Sequence, residues 1–368
     1  MKLTPFKLER YFARYEFNVK YMLCGSDCQS FTIQELLDLE PDAAQRFHTH
    51  WLGYTESPGS PSLRQEIARI YTAISPDQVL VHSGAEEAIF LFMHALLNPG
   101  DHIIVHFPCY QSLEEVARGL GCEVTRWTAH EENGWALNLD ELRRSLHPNT
   151  RAIVVNTPHN PTGYLMPQED YLELNRIAQE RGIILFSDEV YRELEYRLED
   201  RLPSGCDVNE SAVTLGVMSK TYGLPGLRIG WIATRNARIL NQMAALKDYT
   251  TICNSAPSEF LAELALRHRG QLSARNLEII QRNLSILDDF FARYATRFAW
   301  QRPKAGPIAF PRLVDGDIEA FCHDLVTRAG VLLLPGTMYS YPGNYFRIGF
   351  GRQNLPEAVA TLDQYLAG

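Results

Sequence analysis

The sequence predicts an α/β fold: a mainly parallel central sheet sandwiched by helices, with a smaller α+β domain beside it. Three observations carry that expectation. Short apolar runs alternate with helix-period segments between about residues 78 and 233. Those runs are nearly all apolar rather than alternating, as in strands buried on both faces, and a βαβα order implies parallel strands with right-handed crossovers. The chain, at 368 residues, also exceeds the roughly 250–300 residues at which a single core stops growing.

Taken in order, Gln78–His82 reads as a strand, followed by a helical stretch, Ala85–Leu97, that stops at Asn98-Pro99-Gly100. His102–His106 is a second strand, Gln111–Gly119 a helix and Cys122–Trp127 a third strand. Arg151–Asn156 and Ile183–Phe186 are strands on either side of a helix, Gln168–Arg181; Ala212–Val217 and Leu227–Ala233 complete the series. After about Thr250 the texture changes to a long amphipathic stretch, Leu272–Tyr294, and then to shorter pieces. Ile308–Arg312, Val331–Leu334 and Tyr345–Ile348 look like strands, with helices near Ile318–Arg328 and Pro356–Leu366. The first 45 or so residues carry no sheet signature and are expected to pack against this second unit. The expected division is 46–270 for the large domain, and 1–45 with 271–368 for the small one.

Composition removes several function classes. A formal net charge of −9 with no basic run argues against a nucleic-acid surface. No stretch approaches the roughly 20 apolar residues of a membrane span, and Met1–Lys20 lacks the apolar core of a signal peptide. The seven cysteines are scattered, include no C-x-x-C pair and complete no zinc pattern. They read as buried free thiols, which points to a reducing compartment and a cytoplasmic protein, and no metal is expected.

The chemistry concentrates at strand ends. Met218–Trp231 follows a buried strand, so Lys220 leaves the sheet where ligands of open α/β sheets bind. A lysine that attacks a carbonyl needs its pKa lowered by desolvation or a nearby cation. Arg228 comes eight residues on, after a glycine-rich turn, and is a fixed fork suited to a phosphate. Alone, these two would read as surface residues. Ile184–Tyr191 ends another buried strand in Asp188-Glu189, where a carboxylate could hold a protonated ring nitrogen; a helix N-cap is the competing use. Asn156–Gly163 is a turn from which Asn160 can donate to a phenolic oxygen, or simply a Pro/Gly turn. His82–Ala88 joins a strand to a helix, and Gly84-Ala85 there offers backbone N–H groups to an anion. One such element is weak; four at successive strand ends are not.

With those residues in place, the sequence resembles fold-type I enzymes that depend on pyridoxal 5′-phosphate (PLP), of the class I/II aminotransferase family, from Tyr54 to Arg347. The most specific pieces are the Asn160–Gly163 turn, Asp188-x-x-Tyr191, and Ser219-Lys220 with Arg228. The resemblance implies that Lys220 forms the internal aldimine and shuttles a proton between substrate Cα and cofactor C4′. It implies that Asp188 keeps the pyridine nitrogen protonated, so that the ring is an electron sink. Asn160 and Tyr191 would hydrogen-bond the ring 3′-oxygen, and Tyr110 would stack on the ring. Gly84, Ala85, Ser219 and Arg228 would hold the 5′-phosphate, with Glu86 offering its backbone N–H. Arg347 matches the clamp for the substrate α-carboxylate; a buried salt bridge is the competing reading. Tyr54 resembles the tyrosine of the family's Tyr-x4-Gly-x3-Leu-Arg, which reaches the phosphate of a neighbouring subunit, so a C2 homodimer with shared active sites is expected.

The N-terminal loop Tyr21–Cys28, with Gly25 as the glycine that covers substrate, departs from the family's usual Gly-x-Pro form. It resembles more closely a branch of cyclising enzymes of the capreomycidine synthase type. Two activities therefore stand: an aminotransferase moving the α-amino group of an L-amino acid to a 2-oxo acid, and a PLP-dependent lyase or cyclase of the β-elimination type. In the second, Asp27 and Glu56 could recognise a basic side chain. His159, Trp51 and His82 are pocket candidates without an assigned role. A non-catalytic PLP-binding module is a third reading, opposed by the intact set of Lys220, Asp188, Arg228 and Arg347.

Overall fold

Seven strands build the central sheet of the computed structural model, which describes residues 2–368. A short strand, β1 (Tyr21–Met22), precedes them. The sheet comprises β2 (Val79–His82), β3 (His102–Phe107), β4 (Glu123–Thr128), β5 (Thr150–Asn156), β6 (Ile184–Asp188), β7 (Val213–Val217) and β8 (Gly230–Ala233), in the order β2-β8-β7-β6-β5-β3-β4. Pairings are parallel except those of β8, which runs antiparallel to both β2 and β7. Every residue of β2, β3, β7 and β8 is buried, whereas the edge strand β4 leaves Glu123 exposed. Burial on both faces is why the central runs are apolar throughout. Successive residues of β2 make the point: Leu80 packs in one core with Phe92 and Ile232, while Val79 and Val81 join another with Ile67, Trp231 and Leu264.

Because β8 opposes both of its neighbours, β2 and β7 run in the same direction as β3, β5 and β6. The C-terminal ends of these five strands, and the N-terminal end of β8, therefore meet along one edge of the sheet. The expected strand Leu227–Ala233 starts later than its apolar pattern suggested. Pro225–Leu227 coil into a 3-10 turn and Arg228 takes a left-handed backbone, φ 51°, so pairing begins at Gly230. The residues between β7 and β8 thus form one loop carrying both Lys220 and Arg228.

The remaining departures are matters of length. Helices at Ala237–Lys247 and Ala256–Arg267 fill a stretch the apolar pattern left unassigned, and the long helix spans Arg269–Arg293. The expected C-terminal strands shrink to short ladders, Ile308–Ala309 and Leu334–Pro335, on either side of Phe346–Gly349. The N-terminal segment does contribute to a sheet: β1 pairs in parallel with Val331–Leu332. A two-residue ladder is too short to leave a periodic signature. Ahead of it, helix α1 (Lys7–Tyr15) buries Leu8 and Phe12, one turn apart. All seven cysteines are free and six are buried. Among the described residues, no helix is long and apolar enough to cross a membrane.

One close approach locks the N-terminal loop to the strand that bears Arg347. A Cβ on Gly349 would lie 1.9 Å from the carbonyl oxygen of Gly25. Gly349→Ala is therefore expected to destabilise the protein by about 2–4 kcal/mol, read from its urea midpoint, because backbone rather than a flexible side chain must move.

Candidate active site

A cavity of about 350 Å³ opens at the edge where the strand ends converge. Lys220, Asp188, Tyr191, Asn160, Tyr110, Ala85, Glu86, Ser219, Arg228 and Arg347 all line it. Gly84 and Gly25 flank it through their neighbours. Other sequence candidates lie elsewhere. Tyr54 is 86% exposed, and Trp51 and Glu56 are also at the surface. His82 is buried 3.9 Å from the Glu87 carboxylate. His159 is stacked on His106 at 3.6 Å, with its ring nitrogens bonded to Thr162 and the Pro108 carbonyl, so it is a packing residue beneath the site. Asp27 does line the cavity, but Arg352 grips its carboxylate at 2.9 and 3.0 Å.

The anion end is shaped by glycine. Gly84, at φ 87°, opens the helix Ala85–Leu96. A Cβ there would sit 2.5 Å from the Arg228 guanidinium. Gly230 presses from β8, where a Cβ would lie 2.8 Å from the Gly84 carbonyl carbon and 2.9 Å from the Ala85 nitrogen. The Ala85 N–H at the helix start and a guanidinium are thereby packed together, while the Gly84 N–H donates to the His82 carbonyl at 2.8 Å; a helix N-terminus beside a guanidinium suits a phosphate. The Arg228 guanidinium donates to the Pro225 carbonyl at 3.0 Å, and no carboxylate pairs with it among the described residues. Burial raises the carboxyl of nearby Glu86 to about 7, against a bond from the Ser112 hydroxyl, which lessens its repulsion of an anion.

Asp188, at the end of β6, is 6% exposed, and its one donor is the Val190 N–H at 3.2 Å. Burial pushes its pKa up to about 7. A carboxylate so short of donors, facing a cavity, fits a cationic N–H partner. Until one arrives, the folded chain holds this proton more tightly than the unfolded chain does. The stability that protonated Asp188 contributes to the PLP-free protein is therefore lost as pH rises from about 4 to about 7. Asp188→Asn removes that loss: its PLP-free form should be more stable than the parent at pH 8, by roughly 1–4 kcal/mol, and not at pH 4. Thermal unfolding at the two pH values checks this, and an equal pH dependence in both proteins would contradict it.

Lys220 donates from Nζ to the Ser26 hydroxyl at 2.9 Å. Burial lowers its pKa and Asp27 opposes that shift, so the amine is eased toward the neutral, nucleophilic form. Arg347 is 2% exposed. Its Nε donates to the Cys24 carbonyl at 3.0 Å, and one Nη donates to the Tyr339 hydroxyl at 2.5 Å and to Asn160 Oδ1 at 3.3 Å. No carboxylate partners it among the described residues, so the salt bridge weighed as the competing reading is not what the fold contains. Asn160 is held in turn: its N–H donates to Asn156 Oδ1, and Asn156 Nδ2 donates to the Asp188 carbonyl. Tyr191 donates to the Ser26 carbonyl at 3.0 Å, and Tyr110 to Glu9 at 2.8 Å.

Sequence reasoning missed Ser26, Tyr339 and Arg352, and the whole wall contributed by α1. Glu9, Phe12 and Glu16 line the cavity. The signal was present as Leu8 and Phe12 at helical spacing, with Glu9 and Glu16 two turns apart on a neighbouring face.

Known proteins share this sequence pattern and fold. The family described as "Aminotransferase class I and II" matches residues 20–362. Capreomycidine synthase of Streptomyces vinaceus is 29% identical over 364 residues, 98% of this chain and 93% of that protein. A PLP-dependent aminotransferase from Streptococcus suis superposes with a TM-score of 0.94 at 35% identity, covering 100% of this chain and 98% of that one. A PLP-dependent cyclase superposes at 0.91 with 30% identity and the same coverage.

Proposed function

Because the chain belongs to the class I and II aminotransferase family, we propose that it is an aminotransferase that moves the α-amino group of an L-amino acid to a 2-oxo acid, with its cofactor carried on Lys220. The cofactor is PLP. When bound, it supplies a conjugated ring that takes up the electron pair left at Cα after a bond there breaks. The observation that carries the proposal is Arg347: a buried guanidinium with neutral partners only, facing the same cavity as the Lys220 amine and the Asp188 carboxylate.

The chain's own residues would divide the work. Gly84, Ala85, Ser219 and Arg228 hold the 5′-phosphate. Asp188 takes the ring N–H. Asn160, whose Oδ1 is already occupied by Tyr339 and Arg347, has its amide N–H left for the 3′-oxygen, beside Tyr191. Tyr110 flanks the ring and Gly25 covers the substrate. Arg347 clamps the α-carboxylate, and Lys220 takes and returns the proton at Cα. Tyr54 would act across a C2 dimer: it stands exposed with Trp51 and Leu52, and its loop is tied to that of Tyr249 and Ile252 through Thr55–Asn254 and Ser57–Asp248 hydrogen bonds. A fully active monomer in sedimentation would exclude this dimer.

A lyase or cyclase is the second reading, favoured by the acidic wall of Glu9 and Glu16 and by the similarity to a synthase and a cyclase. The wall suits a substrate with a cationic side chain under either reading. Mixing holoenzyme with a panel of acidic, neutral and basic L-amino acids separates the two. Basic members are expected to bleach the visible band most, and for an aminotransferase the band returns only after a 2-oxo acid is added. Unaided recovery would assign the lyase or cyclase activity instead.

A further inference from the structure

We infer that Ser26 is a positioning residue for the reactive lysine, its hydroxyl accepting a hydrogen bond from the Lys220 amine and fixing where that amine stands whenever it is free of the cofactor. The inference rests on the reading of Lys220 as the cofactor-bearing residue. The contact is 2.9 Å, between residues 194 apart in the chain.

What gives this contact its force is the stiffness of the loop that carries Ser26. The Leu23 carbonyl accepts from Gly349 N–H at 3.0 Å, and the Cys24 carbonyl from Arg347 at 3.0 Å. The Ser26 carbonyl accepts from Tyr191, the Asp27 carboxylate is gripped by Arg352, and Gln29 N–H donates to the Gly351 carbonyl at 2.7 Å. Cys24 and Cys28, on either side, are fully buried. A hydroxyl anchored in this way cannot follow a wandering lysine; the lysine must come to it. Lysine has a flexible four-carbon stem, so a fixed acceptor removes much of its rotational freedom.

The hydroxyl also adds an acceptor without adding charge. Groups of both signs already face the amine. Asp27 of the same loop, Glu9 on α1 and Asp188 on β6 favour the ammonium form, while Arg347 opposes it. Glu16 at the C-terminal cap of α1, Glu86 at the start of its helix, Arg228, and the Tyr191 hydroxyl complete the surrounding wall. Below the loop, the Cys28 thiol is kept protonated by burial. A neutral acceptor stabilises the ammonium modestly and leaves the amine's lone pair free to meet a carbonyl or a Cα proton.

The test uses the full chain, stripped of PLP, with PLP itself as the probe. The rate at which the visible band forms is followed across pH for the parent, Ser26→Ala and Ser26→Thr. In the parent that rate rises as Lys220 loses its proton. Ser26→Ala is expected to move the midpoint down by about 0.5–1 pH unit and to slow the limiting high-pH rate by roughly three- to tenfold. Ser26→Thr should restore both. Ser26→Gly removes the hydroxyl a second way, should the alanine protein not fold. A midpoint and limiting rate equal to the parent's, or a midpoint that moves up, overturns the inference. A parent protein that forms no band at all overturns the assignment of Lys220 instead.

Discussion

Lys220→Ala is expected to abolish the visible absorption band of the PLP-loaded protein and to lower turnover by at least about 10⁴-fold. Lys220 is the one lysine lining the cavity, so no neighbouring amine stands ready to replace it. The expected loss is chemical and not structural. Its Nζ makes a single hydrogen bond, to Ser26, and thermal unfolding of the PLP-free variant should stay close to that of the parent. Lys220→Arg sharpens the result. It keeps the positive charge opposite Asp27 and Asp188 but presents no nucleophilic amine, so it should lose the band as completely as alanine does. A band that survives either change means that the cofactor is attached elsewhere.

Arg347→Gln should cut kcat/KM for the amino-acid substrate by about 10²–10³-fold while the band remains intact. The size follows from the loss of a charge-assisted, two-pronged contact with the α-carboxylate in a water-poor site. Glutamine can still donate toward Tyr339 or the Cys24 carbonyl, which limits collateral damage to the loop. Lysine should not rescue, because the native guanidinium spans the Cys24 carbonyl on one side and Tyr339 with Asn160 on the other. Spectral titration of the variant with amino acid reads the affinity directly. An unchanged affinity would return Arg347 to a purely structural role.

The parts of the fold that could be read from sequence are those whose physics is local. β2, β3, β5, β6 and β7 announce themselves as apolar runs because both of their faces are covered. The turns that follow them announce themselves through Gly84, Asn160, Asp188 and Lys220. Direction is not local: the residues of β8 read as one more apolar strand, and nothing in them says that it runs against its neighbours. Contacts between distant residues are hidden for the same reason. Ser26 meets Lys220, and Tyr339 meets Arg347 and Asn160, only after the N- and C-terminal segments have folded over the sheet. His159 shows the converse, a polar residue in a telling motif that is spent on stacking against His106.

The strand order also sets a timetable for making the protein. β2 lies at the edge of the sheet, and its one neighbour there is β8. On the ribosome, β8 emerges roughly 150 residues after β2, a delay of about 8–30 s at ordinary rates of synthesis. Until then Gly84 and Ala85 have neither Gly230 pressing on them nor Arg228 beside them. A nascent chain released before residue 230 can pair β3 through β7, yet it has no cup for a phosphate. Newly made protein should therefore gain affinity for the cofactor late and abruptly, after most of its sheet has already assembled.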